Sequence, residues 1–307
     1  MNLMAHNPYR PSESDSHMSF PKEIVPHLES TYTLLLSGCA PKDTARRMPD
    51  SEWSQACADL RKSAEASSLS SLAFAISRLE YWRANGIQSI NVAGTMGSGK
   101  SSIAKKLAAL LNFDFKDADL FHPEEKKEKM SRGVPLTHAD RHPFYTGVQG
   151  WLKEPRRITS CSALAHMYRA LISGQDIGVL LNESDAAWRD PWKIETPNFG
   201  MFPVIVTKPY DVALYELDAA NKSEKGYREL DGKRHYIQVT KETEALAQAE
   251  GKTPLLKSQY QLLERDPMYA WDAYVLESIS LQSSDGSYSN DDSVNVLLDV
   301  LPHSSNG

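Results

Sequence analysis

At 307 residues the chain has room for one large α/β domain with an extension, and its net charge of -6, from 34 basic and 40 acidic side chains, supplies no basic field for nucleic acid or an anionic membrane. Three cysteines, Cys39, Cys57 and Cys161, are odd in number, far apart and without C-x-x-C spacing, which reads as reduced thiols and excludes a disulfide frame or a zinc site. No run reaches the ~18 apolar residues of a membrane span, and Leu34-Leu35-Leu36 lacks the basic flank and length of a signal peptide, so a soluble, cytoplasmic protein is expected.

Residues 1 to about 50 are rich in Pro, Ser, His and Met and read as a loosely ordered lead-in. Helical spacing then begins. It runs over Ser51 to Arg61 and again over Ser70 to Ala84, where Leu72, Phe74, Ala75, Ile76, Leu79 and Trp82 recur at helical intervals. Asn85-Gly86 has the residues of a helix C-terminus. Residues 1–85 are therefore expected as an extension, partly disordered and then helical, packed against a main domain that opens with the apolar strand Gln88 to Ala93.

The next stretch, Gly94-Thr95-Met96-Gly97-Ser98-Gly99-Lys100-Ser101, fits G-x-x-x-x-G-K-[ST] at every fixed position, and Ser102 continues it into a helix running to Leu111. The residue types follow from the task of holding a phosphate chain. Glycines let the backbone turn and approach an anion, and N–H groups at the start of the following helix face it. Lys100 brings a mobile positive charge to the outer phosphates, while the Ser101 hydroxyl is placed to ligate Mg²⁺. ATP and Mg²⁺ are the implied cofactors. The plainer reading, a tight strand-to-helix connection, accounts for the glycines but not for the Lys-Ser pair.

Phe113-Asp114-Phe115 reads as a second strand, and Asp117, Asp119 and His122 lie just past its carboxyl end, where open α/β sheets bind ligands. Two carboxylates at i, i+2 in a turn can do complementary work: one holds Mg²⁺ directly or through water, while the other accepts the hydrogen bond of a substrate hydroxyl and orients it for attack. A helix cap or a solvated turn is the alternative for the same spacing.

Asp117-Ala118-Asp119-Leu120-Phe121-His122-Pro123 is followed by Lys129-Met130, Gly133-Val134-Pro135-Leu136, Asp140-Arg141-His142-Pro143-Phe144, Cys161-Ser162-Ala163-Leu164 and Tyr168-Arg169. Further on come Leu255-Leu256-Lys257-Ser258-Gln259, Leu263-Glu264 and Pro267. This order resembles the gluconokinase family, small phosphate-loop kinases that transfer the γ-phosphate of ATP to the 6-hydroxyl of D-gluconate. The resemblance runs from about residue 88 to 301, continuous to Arg169 and patchier afterwards. It implies an α/β phosphate-loop (P-loop) kinase fold with a parallel five-stranded sheet flanked by helices over residues 86–303, with insertions near 178–198 and 221–251. By the same resemblance, Lys100, Asp117 and Asp119 are the catalytic group, and Ser101 and Asp117 hold the metal. Gly94 to Ser102 bind ATP. Lys129, Arg141 and Arg169 are candidates for the gluconate carboxylate, and Asp119 and His122 for its hydroxyls. The partner is then a small molecule, with no nucleic acid and no membrane; a homodimer is left open.

The chain departs from the family pattern at Ala118 for glycine, Lys126 for asparagine, Phe144 for tryptophan and Ala165 for lysine. Only 16 residues, 145–160, separate Phe144 from Cys161, and Pro155 to Ser160 make a poor strand, so the sheet is expected to be imperfect there. Met201 to Thr207 is a buried β run, Tyr210 to Ala219, Lys241 to Gly251 and Leu255 to Glu264 are helical, and Ala273 to Leu281 is the last strand before a closing helix from Asn290 to Leu301. Arg228 or Arg234 stands in for a lid arginine. Three functions fit: a gluconokinase, a kinase of the same build for another sugar acid, and a catalytically impaired nucleotide-binding homologue with a regulatory role.

Overall fold

Every residue of Ser89–Gly94 is buried, which is what a strand covered on both faces of a parallel sheet requires. The computed structural model describes residues 31, 35–36, 48–66, 70–131, 136–164, 166–174, 200–207, 213, 227–230, 233–236, 259–260, 273–277 and 290–301. In chain order these form α1 (Asp50–Ala66), α2 (Ser70–Asn85), β1 (Ser89–Gly94), α3 (Lys100–Leu111), β2 (Asp114–Asp117), a 3₁₀ turn (Ala118–Phe121), α4 (Glu124–Ser131), α5 (His138–Lys153) and β3 (Arg157–Cys161). After them come α6 (His166–Ile172), β4 (Met201–Thr207), β5 (Tyr227–Leu230), β6 (Lys233–Tyr236), β7 (Tyr274–Glu277) and α7 (Asn290–Val300). The expected insertion near 178–198, the helix over 241–251, Gly133-Val134-Pro135 and Ala165 lie outside the described residues, as does most of 1–50. Among the described residues no helix is long and apolar enough to cross a membrane.

The main sheet has five strands in the order β2-β3-β1-β4-β7, and each neighbouring pair is parallel. This is the P-loop kinase fold. The expectation of an imperfect sheet near 155–160 is corrected: β3 pairs with β1 from Ser89↔Arg157 to Ala93↔Cys161 and with β2 from Asp114↔Arg157 to Asp117↔Ser160. The short spacing suffices because α5 passes to β3 through a tight turn at Glu154 to Arg156. Arg156 adopts a left-handed φ of 61°, its N–H donates to the Gln88 carbonyl at 2.7 Å, and its carbonyl accepts from Asp114 N–H at 2.9 Å. One residue thereby stitches the starts of β1 and β2 to that of β3.

Two hydrophobic layers cover the sheet. On one face Ile90, Val92, Phe202, Val204, Val206 and Leu276 pack with Ile103 and Leu107 of α3 and Val294 and Leu297 of α7. Trp53, Leu60, Leu72, Ile76, Leu79 and Trp82 of α1 and α2 belong to the same cluster, with the Trp82 ring 4.9 Å from that of Phe202. Burying each such side chain contributes roughly 1.5–3 kcal/mol, and six of them rival the ~5–15 kcal/mol net stability of a domain. The helices before residue 86 are thus part of the domain's core. On the other face Phe144, Tyr145, Val148 and Leu152 of α5 pack with Tyr168, Leu171 and Ile172 of α6 and with Ala118, Cys161 and Met201. Apart from the sheet, β5 and β6 form an antiparallel pair with Arg228 opposite His235 and Glu229 opposite Arg234, on the stretch expected to carry the lid.

Candidate active site

The parallel sheet brings the carboxyl ends of β1, β2 and β3 to one edge, and the segments that leave them build the site. At the end of β1, Gly94 has a φ of 156°, and a Cβ there would lie 2.5 Å from the Val206 carbonyl oxygen and 2.6 Å from Ser98 Oγ. Any side chain would force the loop off β4. Gly99 is the N-cap of α3 with a left-handed φ of 86°, and it has no side chain to satisfy the amides of the helix's first turn. Those N–H groups, with the positive end of the helix dipole behind them, are offered to an anion. Within the cradle Thr95 Oγ1 and Ser98 Oγ are buried with no hydrogen-bond partner among the described residues. Orphaned polar atoms are expected where a bound polar group completes the set, so the loop fits a phosphate chain.

Lys100 Nζ lies 3.4 Å from the Thr95 carbonyl oxygen, to which it donates. Burial holds its pKa below the ordinary lysine value, while Cys161, Asp119 and Asp117 pull in the opposite direction. Burial also pushes the Cys161 thiol well up, so it is neutral near pH 7 and the two carboxylates are the negative charges that Lys100 meets. The acids from the end of β2 and the lysine from the loop thus share one field across the edge of the sheet.

Asp117 Oδ1 accepts from Asp119 N–H at 3.1 Å and caps the 3₁₀ turn, so the capping role and the acid pair are both present. Ser101 Oγ sits 3.1 Å from Ser160 Oγ at the end of β3. Among the described residues no three His, Cys, Asp or Glu side chains cluster to form a complete metal site. Mg²⁺ keeps most of its water and takes one or two protein ligands together with phosphate oxygens; Ser101 and Asp117 are the residues that would hold it.

On the acceptor side Asp119 is exposed and His122 half-buried. The His122 ring stacks on Phe144 with centroids 3.9 Å apart and planes 10° apart, its Nδ1 is buried without a partner among the described residues, and burial lowers its pKa against the opposing pull of Asp119. Phe144 meets Tyr145 edge-on, Tyr145 stacks on Tyr168 at 4.2 Å, and the Arg141 guanidinium lies 5.8 Å from the centre of the Tyr168 ring. A column of rings therefore links the two polar groups, His122 and Arg141.

The other candidate cations have protein partners. Lys129 pairs with Asp140 Oδ2, and Lys126 reaches Oδ1 of the same carboxylate at 2.9 Å. Arg169 is fully buried, and its guanidinium donates to the carbonyls of Ala163, at 3.3 Å, and Leu164, holding the turn that leaves β3.

Three neighbours of the loop went unmarked as functional in the sequence. Ser160 touches Ser101, Asn290 Oδ1 lies 3.4 Å from where a Gly99 Cβ would be, and Gln259 Oε1 accepts from Met96 N–H at 2.7 Å. Ser160 lies near the end of β3, which the sequence did not reveal as a strand, and Asn290 and Gln259 come from far along the chain with no signal beyond the Leu255 to Gln259 block.

Comparison with known proteins bears on this geometry. The shikimate kinase family model (SKI: Shikimate kinase) matches residues 96–147, from the phosphate loop into α5. A gluconokinase of Gluconobacter oxydans (strain 621H) is 39% identical over 93 residues, 29% of this chain and 52% of that protein. The chain is similar to gluconokinases. A probable gluconokinase of Xenopus tropicalis is 39% identical over 88 residues, covering 27% of this chain and 46% of the relative. The thermosensitive gluconokinase of Escherichia coli (strain K12) is 36% identical over 90 residues, 28% and 48% of the two chains. This chain thus spans about half the length of the curated relatives it matches. Among solved structures, a gluconokinase from Sinorhizobium meliloti 1021 aligns with 70% of this chain and 89% of its own at 22% identity and a TM-score of 0.43.

Proposed function

We propose that the protein is an ATP- and Mg²⁺-dependent gluconokinase, forming 6-phospho-D-gluconate from D-gluconate. The observation that carries the reading is the common edge of the parallel sheet, where β1 ends in a loop whose helix-start amides have no side-chain cap and which opens α3 at Lys100, while β2, two strands away, ends at Asp117 with Asp119 in the turn that follows. The loop amides and Lys100 hold the phosphates, with Ser101 and Asp117 as the residues for Mg²⁺, which when bound neutralises phosphate charge. Asp119 receives the proton of the 6-hydroxyl as its oxygen forms a bond to the γ-phosphorus. The bond from that phosphorus to the bridging oxygen breaks, and ADP leaves with the electron pair. Rate enhancement comes mainly from positioning and charge stabilisation.

Arg141 is the cation best suited to the gluconate carboxylate, because its guanidinium is partly exposed and held over Tyr168, whereas Lys129 is paired with Asp140 and Arg169 with backbone carbonyls. His122 faces the hydroxyls from its perch on Phe144.

The test is purified protein with ATP, Mg²⁺ and gluconate, scored for 6-phosphogluconate, next to a panel of other sugar acids. Lys100→Ala and Asp119→Asn are each expected to lower kcat by about 10²–10³-fold. Preference for another acid moves the acceptor but keeps the chemistry. ATP binding by calorimetry without any phosphoryl transfer sinks the enzyme reading in favour of a nucleotide-binding homologue.

A further inference from the structure

One amide of the phosphate loop is already engaged from the far side of the chain. Met96 N–H donates to Gln259 Oε1 at 2.7 Å, between residues 163 positions apart. A backbone N–H only donates, so the carboxamide must turn its oxygen to the loop, and this fixes which end of the planar group is Nε2. That nitrogen lies within about 5 Å of the Met96 nitrogen, given the width of a carboxamide and one hydrogen bond. Among the described residues Nε2 makes no hydrogen bond, and Gln259 is partly exposed. Its neighbour Tyr260 is buried.

Loop amides hold phosphate oxygens at about 3 Å, so a donor within about 5 Å of a loop nitrogen is near enough to meet an anion held by the neighbouring amides. We infer that Gln259 Nε2 is a further donor to the phosphate chain of the nucleotide, supplied by the segment that follows the β5–β6 pair. The inference rests on the phosphate-loop reading above. A side chain whose only task was to brace Met96 would need an acceptor alone, and a carboxylate would serve that task better, since a charged acceptor makes the stronger bond.

That contrast supplies the experiment. Gln259→Glu keeps an acceptor for Met96 but removes the Nε2 donor and sets a negative charge beside the phosphates; Gln259→Leu removes donor and acceptor together. Calorimetric Kd values for ATP and ADP, with Mg²⁺ and no acceptor, are measured for the wild type and both variants, with thermal melts of the free proteins as a check on folding. The expected result is ATP binding weakened about tenfold in Gln259→Leu, the scale of one hydrogen bond to a charged group, and weakened further in Gln259→Glu. Gln259→Glu binding ATP as tightly as the wild type, or more tightly than Gln259→Leu, reduces Gln259 to a brace and overturns the inference. Should the leucine variant fail to fold, the glutamate variant against the wild type still decides. A wild type without affinity for ATP is a different failure, because it removes the phosphate-loop reading itself.

Discussion

The phosphate loop and the side chains proposed for the acceptor lie toward one edge of the sheet but are made of different material. The loop half is mostly backbone: its shape comes from Gly94 and Gly99, whose conformations leave no room for a side chain or favour glycine, and its donors are amides at the start of α3. The acceptor half is side chains reached from the 3₁₀ turn, α4, α5 and α6, and each of these has other demands on it. Lys129 and Lys126 converge on Asp140, and Arg169 closes the turn after β3. A backbone site is specified by a local pattern, whereas a cation is available to a ligand only if tertiary packing leaves it so.

Two arginine variants break that comparison most directly. Arg169→Met keeps much of the buried volume but leaves the Ala163 and Leu164 carbonyls without their donor, and is expected to cost about 2–3 kcal/mol of stability, read in denaturant melts. Arg141→Met removes a partly exposed guanidinium, and a rise of about tenfold in KM for gluconate is expected with a smaller loss of stability than in Arg169→Met. If instead Arg169→Met melted like the wild type and lost gluconate affinity, the buried arginine would belong to the acceptor and the division drawn above would be wrong.

The same division explains what could be read from residues alone. The strand, loop and helix over Ser89 to Leu111 were legible because phosphate binding dictates glycines and a lysine at fixed spacing, and the acids at the end of β2 were legible from their place after that unit. β3 was not legible: Pro155, Arg156 and Arg157 look unlike a strand, yet the left-handed turn at Arg156 ends just where β3 begins, and Ile158 to Cys161 need only be small or branched to fill a buried central position. The partners of Lys129 and Arg169 were hidden for another reason. Asp140 lies on a different helix from Lys129, and the carbonyls that Arg169 meets belong to a turn whose shape depends on the whole α5–α6 layer.

Asn91 sharpens the contrast from the core side. It sits in the middle of β1, fully buried, and neither its Nδ2 nor its Oδ1 has a hydrogen-bond partner among the described residues. Leaving such a group unsatisfied is costly, and valine is favoured in a central strand, so Asn91→Val is expected to gain about 1 kcal/mol and to raise the melting temperature by about 2–4 °C. A lower melting temperature would mean that the amide is satisfied after all by something polar beneath α5.

The smallest effect concerns Asp140, which sits in a capping box with Thr137 at the start of α5 and also takes both lysines of α4. The Lys129 ammonium first, then the Thr137 amide and Lys126, hold its carboxyl well below the usual carboxylate range. A depressed carboxylate contributes stability that is present above the unfolded pKa of about 3.9 and is lost as pH falls toward the folded value. The wild type should therefore lose stability more steeply than Asp140→Asn as pH drops below about 4, and added salt should narrow the gap because the pairs face solvent. Melting curves at neutral and acid pH, at low and high salt, measure this. Equal slopes for the two proteins would show that the lysines of α4 are not tied to α5, and Lys129 would return to the acceptor site as a cation free to meet a sugar acid.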